Sequence, residues 1–124
     1  MSAVPGTFQQ LLDRVPELGP IYQEHLDDNG SVLPHVLMAD VARFFNEVLA
    51  TSLAGSPGSA TAAADVRTIL EVLEDSMEGA GQDWVEVVSA SFLENLDPED
   101  PEYDQARSLM GPRLREMLET VEEG

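Results

Sequence analysis

Apolar positions recur along this chain at steps of three and four residues. The strongest run is Leu33, Val36, Leu37, Val41, Phe44, Phe45, Val48, Leu49 and Leu53, with steps of 3, 1, 4, 3, 1, 3, 1 and 4. That spacing predicts a helix over about 32–53, with an apolar face wide enough to run through the middle of a core. Ser31 is its expected cap, and Pro34 falls in its first turn, where a missing N–H costs nothing. Shorter stripes flank it. Phe8, Leu11, Leu12 and Val15 predict a first helix, capped by Thr7 and ended at Pro16. Leu18, Ile21, Tyr22 and Leu26 predict a second over 17–28, stopped by Asn29-Gly30, which tolerate positive φ. Val66, Ile69, Leu70, Leu73 and Met77 predict a fourth over about 60–78, ended by Gly79 and Gly81. Asp83-Trp84-Val85-Glu86 has the form of a capping box, with Asp in place of Ser or Thr. The fifth helix it opens would bury Trp84, Val85, Val88, Phe92 and Leu96. Tyr103, Ala106, Met110, Leu114, Met117, Leu118 and Val121 keep helical spacing to the end, and Gly111-Pro112 must kink or split that segment.

No stretch alternates polar and apolar residues over the length of a strand, and the one β-branched cluster, around Val85 to Val88, sits inside a helical pattern. The expected fold is therefore all-α: a compact array of five to seven short helices around the central one, with no sheet. The expected organisation is one helical domain over 1–124. Two connections stand out. Residues 54–59, Ala-Gly-Ser-Pro-Gly-Ser, predict a flexible loop, and residues 97–101, Asp-Pro-Glu-Asp-Pro, predict a stiffer acidic one.

Charge changes the picture more than size does. Of 124 residues, 24 are Asp or Glu and 6 are Arg, with no Lys and no Cys, for a formal charge of −18. A chain of this length buries enough surface to fold without a disulfide or metal, and the lack of cysteine fits a reducing compartment. So negative a chain is repelled by phosphate backbones and by anionic lipid surfaces, so neither nucleic acid nor membrane is an expected partner. The first six residues carry no basic or apolar leader pattern, and no apolar run reaches the roughly 18 residues of a membrane span. A cytoplasmic location is the expectation.

Catalytic chemistry finds little support. His25 lies in Glu24-His25-Leu26-Asp27-Asp28-Asn29 and His35 one turn into the central helix, near Asp40. Neither has the spacing of a zinc or di-iron helix motif, and Asp27-Asp28-Asn29-Gly30 lacks the sixth-position Gly and the bidentate Glu of a calcium loop. His25 is expected at the surface, and His35 packing at the start of the central helix. Gly55-Ser56-Pro57-Gly58-Ser59 has the wrong spacing for a nucleophile elbow, and without lysine there is no phosphate-loop Lys or Schiff base. No catalytic residue, metal or cofactor is assigned. An enzyme or metal protein built on Glu24, His25, His35 and Asp40 is the alternative tested against metal retention.

The arginines pair with acids along single helices: Arg43–Glu47, Arg67–Glu71 and Arg115–Glu119 at i, i+4; Asp40–Arg43, Asp104–Arg107 and Arg113–Glu116 at i, i+3. Arg14 has no such partner. Acids gather on four faces: Glu71, Glu74, Asp75 and Glu78; Glu116, Glu119, Glu122 and Glu123; Glu17, Glu24, Asp27 and Asp28; and Glu94, Asp97, Glu99, Asp100, Glu102 and Asp104. The last group puts six acids in eleven residues with no cation between them, in a loop stiffened by two prolines. Recognition is commonly carried by loops on rigid scaffolds, and a stiff loop loses less entropy on binding. Those six acids, with Tyr103 as an aromatic anchor and Phe92 near it, form the candidate partner-binding site.

Pro16-Glu17-Leu18, Tyr22-x-x-His25-Leu26-x-Asp28-Asn29-Gly30, the 33–41 block Leu-Pro-His-Val-Leu-Met-Ala-Asp-Val, Phe92-Leu93-Glu94-Asn95-Leu96 and Met110-Gly111-Pro112-x-Leu114 together span most of the chain. In these blocks the sequence resembles a family of small acidic all-α bacterial proteins of uncharacterised domain type, similar to the immunity proteins of polymorphic toxin systems. The resemblance implies a non-catalytic module that neutralises a basic toxin domain by covering its active cleft. A regulatory or structural helical domain, a homodimer in one form, with acidity serving solubility alone, is the other expectation.

Overall fold

In a computed structural model, residues 6–123 are described. The expectation that the chain opens without a leader falls on residues 1–5 and lies outside them. Among these residues seven α-helices and one 3₁₀ turn follow one another: α1 Gly6–Arg14, α2 Leu18–Asn29, α3 Pro34–Leu53, α4 Ser59–Ser76, α5 Gln82–Ser91, the 3₁₀ turn Leu93–Asn95, α6 Tyr103–Leu109 and α7 Pro112–Glu123. No strand occurs among the described residues.

The α3 helix is central, as its periodicity demands. It packs along α4 over the longest contact and also against α5, α2 and the 3₁₀ turn. Leu37, Met38, Val41, Ala42, Phe45 and Leu49 are buried on it. The α4 helix answers with Val66, Ile69, Leu70, Val72 and Leu73. Phe45 meets Phe92 edge-on at 5.1 Å between ring centres, and Phe8 meets Trp84 at 5.5 Å, closing the core at two corners. Trp84 is half-buried, and its indole N–H donates to Ser76 Oγ at 2.9 Å.

Several expected helix starts move. Thr7 lies inside α1. The α3 N-cap is Leu33, extended at φ −109°, ψ 101°, rather than Ser31. The ring of Pro34 excludes helical backbone at the residue before it, so the helix begins at the proline. The Asp83 capping box does not form, because Gly81 takes the cap position with extended backbone and puts Asp83 within the first turn. There its charge faces the positive helix end. The fifth predicted helix is also shorter than its stripe. It ends at Ser91, whose carbonyl accepts from Asn95 Nδ2 at 2.7 Å, and the chain continues as the 3₁₀ turn. Gly30 caps α2 in the left-handed region at φ 76°, as its sequence position implies.

Gly111-Pro112 splits the last segment into α6 and α7, and the split has a tertiary cause. Glu74 of α4, expected on an outer face, instead turns its carboxylate onto the start of α7. Oε2 accepts from the Arg113 N–H at 3.0 Å and Oε1 from the Leu114 N–H at 2.9 Å. A side chain from another helix thus satisfies two of the orphan donors of α7. A Cβ at Gly111 would sit 2.5–2.7 Å from that Glu74 side chain. The carboxylate is pinned by its two hydrogen bonds, so it could yield only by releasing the cap. Turns over residues 54–58 join α3 to α4, tied by Ser59 Oγ donating to the Thr51 carbonyl at 2.7 Å.

Asp65 of α4 is buried and faces Glu17 at the N-cap of α2. Burial first, and then the hydrogen bond and charge of Glu17, push its carboxyl up to about 6, while Glu17 is held low by accepting from it. Asp65 is raised above its unfolded value, so its proton favours the folded state. The stability it confers is full below the unfolded carboxylate range and is lost as pH rises through about 6.

Two expected outcomes follow from these contacts. Gly111→Ala should lower stability by about 1–2 kcal/mol in the native background and by much less in Glu74→Ala, which itself loses a cap of about 1–2 kcal/mol. Additive losses in denaturant titrations would disprove the coupling. Asp65→Asn should raise stability at pH 8 by roughly 1 kcal/mol, with little gain at pH 4, flattening the profile between them. An unchanged profile would remove Asp65 as its cause.

Candidate functional site

The 94–104 segment leaves the 3₁₀ turn, crosses a run of turns and enters α6. Its backbone is held by its own acids. Asp97 Oδ1 accepts from the Glu99 N–H at 2.9 Å, and Asp100 Oδ1 from the Glu102 N–H at 3.3 Å, each folding the chain back over two residues. Glu94, Asp97, Glu99, Asp100 and Asp104 are exposed, and Glu102 is half-buried at the N-cap of α6. The structure therefore brings five of the candidate acids to the surface on one short, locally braced segment.

Tyr103 requires a correction. It is 6% exposed, its ring belongs to the core, and its hydroxyl donates to Glu122 of α7. Burial, reinforced by the Glu122 carboxylate, pushes its phenol up to about 12, so it stays a donor there. Phe92 is fully buried as well. Neither ring is available as an anchor for a partner. Tyr103 continues the apolar stripe of Ala106 and Met110, and stripe positions face inward.

The arginines also sit differently from their sequence pairing. Asp40–Arg43 forms as expected. Arg14, expected to lack a partner, reaches Glu71 of α4 at 3.3 Å. Arg107 of α6 reaches Glu122 at 3.4 Å and Glu119 at 3.8 Å on α7. Arg113 reaches Glu74 at 3.8 Å, and Arg115 donates to the carbonyls of Arg107 and Ser108 at 3.2 and 3.0 Å, closing the end of α6. Among the described residues, the expected Arg67–Glu71, Arg43–Glu47, Arg115–Glu119, Asp104–Arg107 and Arg113–Glu116 pairs are not made. Three of the arginines bridge helices and the 94–104 acids form no ion pair, although Asp104 shares a surface hollow with Arg107 and Arg115. Asp40, Asp65, Glu74 and Glu102 apart, every acid of the chain is exposed.

A second acidic feature lies between α2 and α3. An open cleft of about 370 Å³ is lined by Glu24, Asp28, Asp40 and Glu47, with His25 at its wall. His25 is 3% exposed, not a surface residue. The signal was present in its position, since His25 follows Leu18, Ile21 and Tyr22 at helical steps. Its Nε2 accepts from the Leu33 N–H at 3.0 Å, which gives the cap residue of α3 a partner from α2. A ring nitrogen that accepts from a backbone N–H carries no proton, so in the neutral ring Nδ1 carries it. Nδ1–H faces Asp40 Oδ2 across 3.9 Å.

This tautomer bears on metal chemistry. With Nε2 committed to the Leu33 N–H and Nδ1 protonated, neither ring nitrogen offers a lone pair to a cation. Glu24 and Asp40 share the cleft with His25, but His35 does not line it. Its Nδ1 instead meets Ser91 Oγ at 2.8 Å and fastens the first turn of α3 to α5, the packing role its position predicted. Nor do any three or more His, Asp or Glu side chains among the described residues gather in a way that could hold a metal ion. The four residues of the alternative reading are thus divided between two places.

His25→Leu keeps volume but strands the Leu33 N–H. It should cost about 1–3 kcal/mol and accelerate hydrogen exchange at the Leu33 amide. Unchanged exchange at that amide would show that it does not depend on the imidazole.

No helix among the described residues is long and apolar enough to cross a membrane. No curated protein and no solved structure matches the chain. A family model described as Domain of unknown function (DUF7674) matches residues 8–123, which takes in every helix from within α1 to the end of α7. The chain, an all-α array along that whole length, belongs to this family.

Proposed function

We propose that this chain is a non-catalytic acidic binding module that captures a basic protein, and that it serves as an immunity protein, covering the active cleft of a basic toxin domain. The observation that carries this reading is the division of charge: Arg14, Arg107 and Arg113 are tied to acids on other helices, while Glu94, Asp97, Glu99 and Asp100 stand exposed on a braced segment and form no ion pair. A surface of that kind speeds encounter with a cationic partner and discriminates against anionic ones. Pre-bracing by Asp97 and Asp100 lowers the ordering cost on binding. The carboxylates would occupy positions that substrate phosphates take on a nuclease-like toxin, and a cytoplasmic site of action goes with that role.

The reading is tested by capture at low and high salt, followed by activity. One basic partner retained at near-equal stoichiometry, released by salt and inhibited by added chain, supports it. A partner that is not basic, or capture indifferent to salt, argues instead for a plain helical domain or a homodimer. Reversal of Glu94, Glu99 and Asp104 to Lys spares the bracing carboxylates of Asp97 and Asp100. It should slow association with the partner by about tenfold or more at low salt, with little change in dissociation. Unchanged association would move the contact away from this segment.

A further inference from the structure

The α5 and α7 helices pack together, and an open groove of about 450 Å³ lies between them, with Met77, the C-cap of α4, in its lining. Each helix gives the groove one side. On α5 that side runs through Gln82, Val85, Glu86 and Ser89; on α7 it runs from Arg113 through Glu116 and Met117 to Thr120. The spacing is i, i+3, i+4, i+7 on both, the stripe by which a helix faces a neighbour. On each wall the apolar residue sits beside a glutamate and between polar ends. The groove therefore has an apolar middle and a polar border, the layout of a protein-binding patch.

Val85 departs from its expected place. Its stripe predicts burial, yet it is half-buried and stands outside the core that takes Trp84, Val87 and Val88 of the same helix. Met117 packs against the core but is also only half-buried, and methionine adapts its shape to what lies on it. Glu86 and Glu116 are exposed and form no ion pair among the described residues, whereas the Arg113 guanidinium is drawn to Glu74 at 3.8 Å. Two open glutamates beside an apolar centre complement a segment that carries apolar residues flanked by cations. A second copy of the chain is the wrong occupant, because a net charge of −18 makes two copies repel and favours the monomer.

We propose that this groove seats an amphipathic helix of the basic partner, with its apolar stripe on Val85 and Met117 and its lysines or arginines against Glu86 and Glu116. A helix is the form that fits. An extended segment adds to a sheet edge, and no strand occurs among the described residues; a polyproline segment docks between aromatic rings, and none lines the groove. The open apolar residues that a binding surface needs as an anchor, missing at the buried Tyr103 and Phe92, are supplied here. Charge sets how fast such a complex forms, and apolar contact how slowly it parts. The assignment rests on the basic-partner reading and adds to it the form of the segment that docks.

The test is an NMR titration of the whole chain with three synthetic peptides, each of roughly four helical turns. One sets leucine and lysine at helical period. One has the same composition in strict alternation, and one keeps the helical order with glutamate in place of lysine. Only the first should bind, with saturable amide shifts at Met77, Val85, Glu86, Glu116 and Met117. Val85→Ser, at a position outside the core, should weaken it by about tenfold, and the exposed pair Glu86→Gln/Glu116→Gln by about tenfold at low salt. Equal binding of either control peptide, shifts centred on 94–104 or spread over all acidic faces, or unchanged affinity in either variant would overturn the proposal. So would shifts at Val85 and Met117 on concentrating the chain alone, which give the groove to a second copy. The two readings fail separately. If a basic partner is captured and both variants leave its affinity unchanged, the groove proposal falls and the binding-module reading stands. If no basic partner is captured while the helical peptide saturates the groove, the toxin reading falls and the helix seat stands.

Discussion

Met38, Ala42 and Phe45 lie on α3 with no solvent exposure, and the other helices are arranged to keep them so. A helix that is apolar over so wide an arc cannot rest on one neighbour. The α4 helix covers it along most of its length, α5 and the 3₁₀ turn cover a second side, and α2 crosses near its beginning. Phe92 reaches Phe45 because α5 stops at Ser91 and the chain turns there, inserting the ring edge-on. The α1, α6 and α7 helices then pack on α4, α1 also on α2 and α7 also on α5 and the 3₁₀ turn, so they depend on α3 at one remove.

Helix starts in this protein are completed from a distance. The Leu33 N–H finds its acceptor on His25 of α2, and two N–H groups of α7 find theirs on Glu74 of α4. Such caps form only once the helices have docked, which couples local helix formation to assembly. They also explain two features that look incidental in the chain. Gly111 is small because the Glu74 carboxylate occupies the space of a side chain, and His25 is buried because its ring bridges α2 to the entry of α3.

Charge follows the same logic. With six arginines against 24 acids, the fold places Arg14, Arg107 and Arg113 between helices and Arg115 on the end of α6. Exposed pairs of this kind contribute little to stability singly. Their larger consequence is for the surface. The 94–104 segment and the α2–α3 cleft remain anionic, one braced by its own aspartates and the other walled by the buried imidazole that accepts from the Leu33 N–H.

The helices were legible because periodicity is local: a residue's place on a helical stripe depends on neighbours three and four away. The steps from Leu33 to Leu53, the stop at Gly30 and the break at Gly111-Pro112 all emerge in the structure near where the chain places them. The 94–104 acids could be found in the same way, since exposure of consecutive charged turn residues needs no tertiary knowledge. Tyr103, His25, Glu74 and the arginine pairings were another matter. Tyr103 and His25 lay on apolar stripes whose periodicity pointed inward, but a phenol and an imidazole have a polar alternative that spacing alone does not weigh. Glu74 and Arg14 find partners 39 and 57 positions away, and such partners are set by how α4 is rotated against α7 and α1. By itself the sequence determined which residues are helical, which faces are apolar and how negative the surface is. The tertiary structure decided which polar groups meet, because hydrogen bonds and ion pairs act over a few ångströms, and only packing brings distant positions that close.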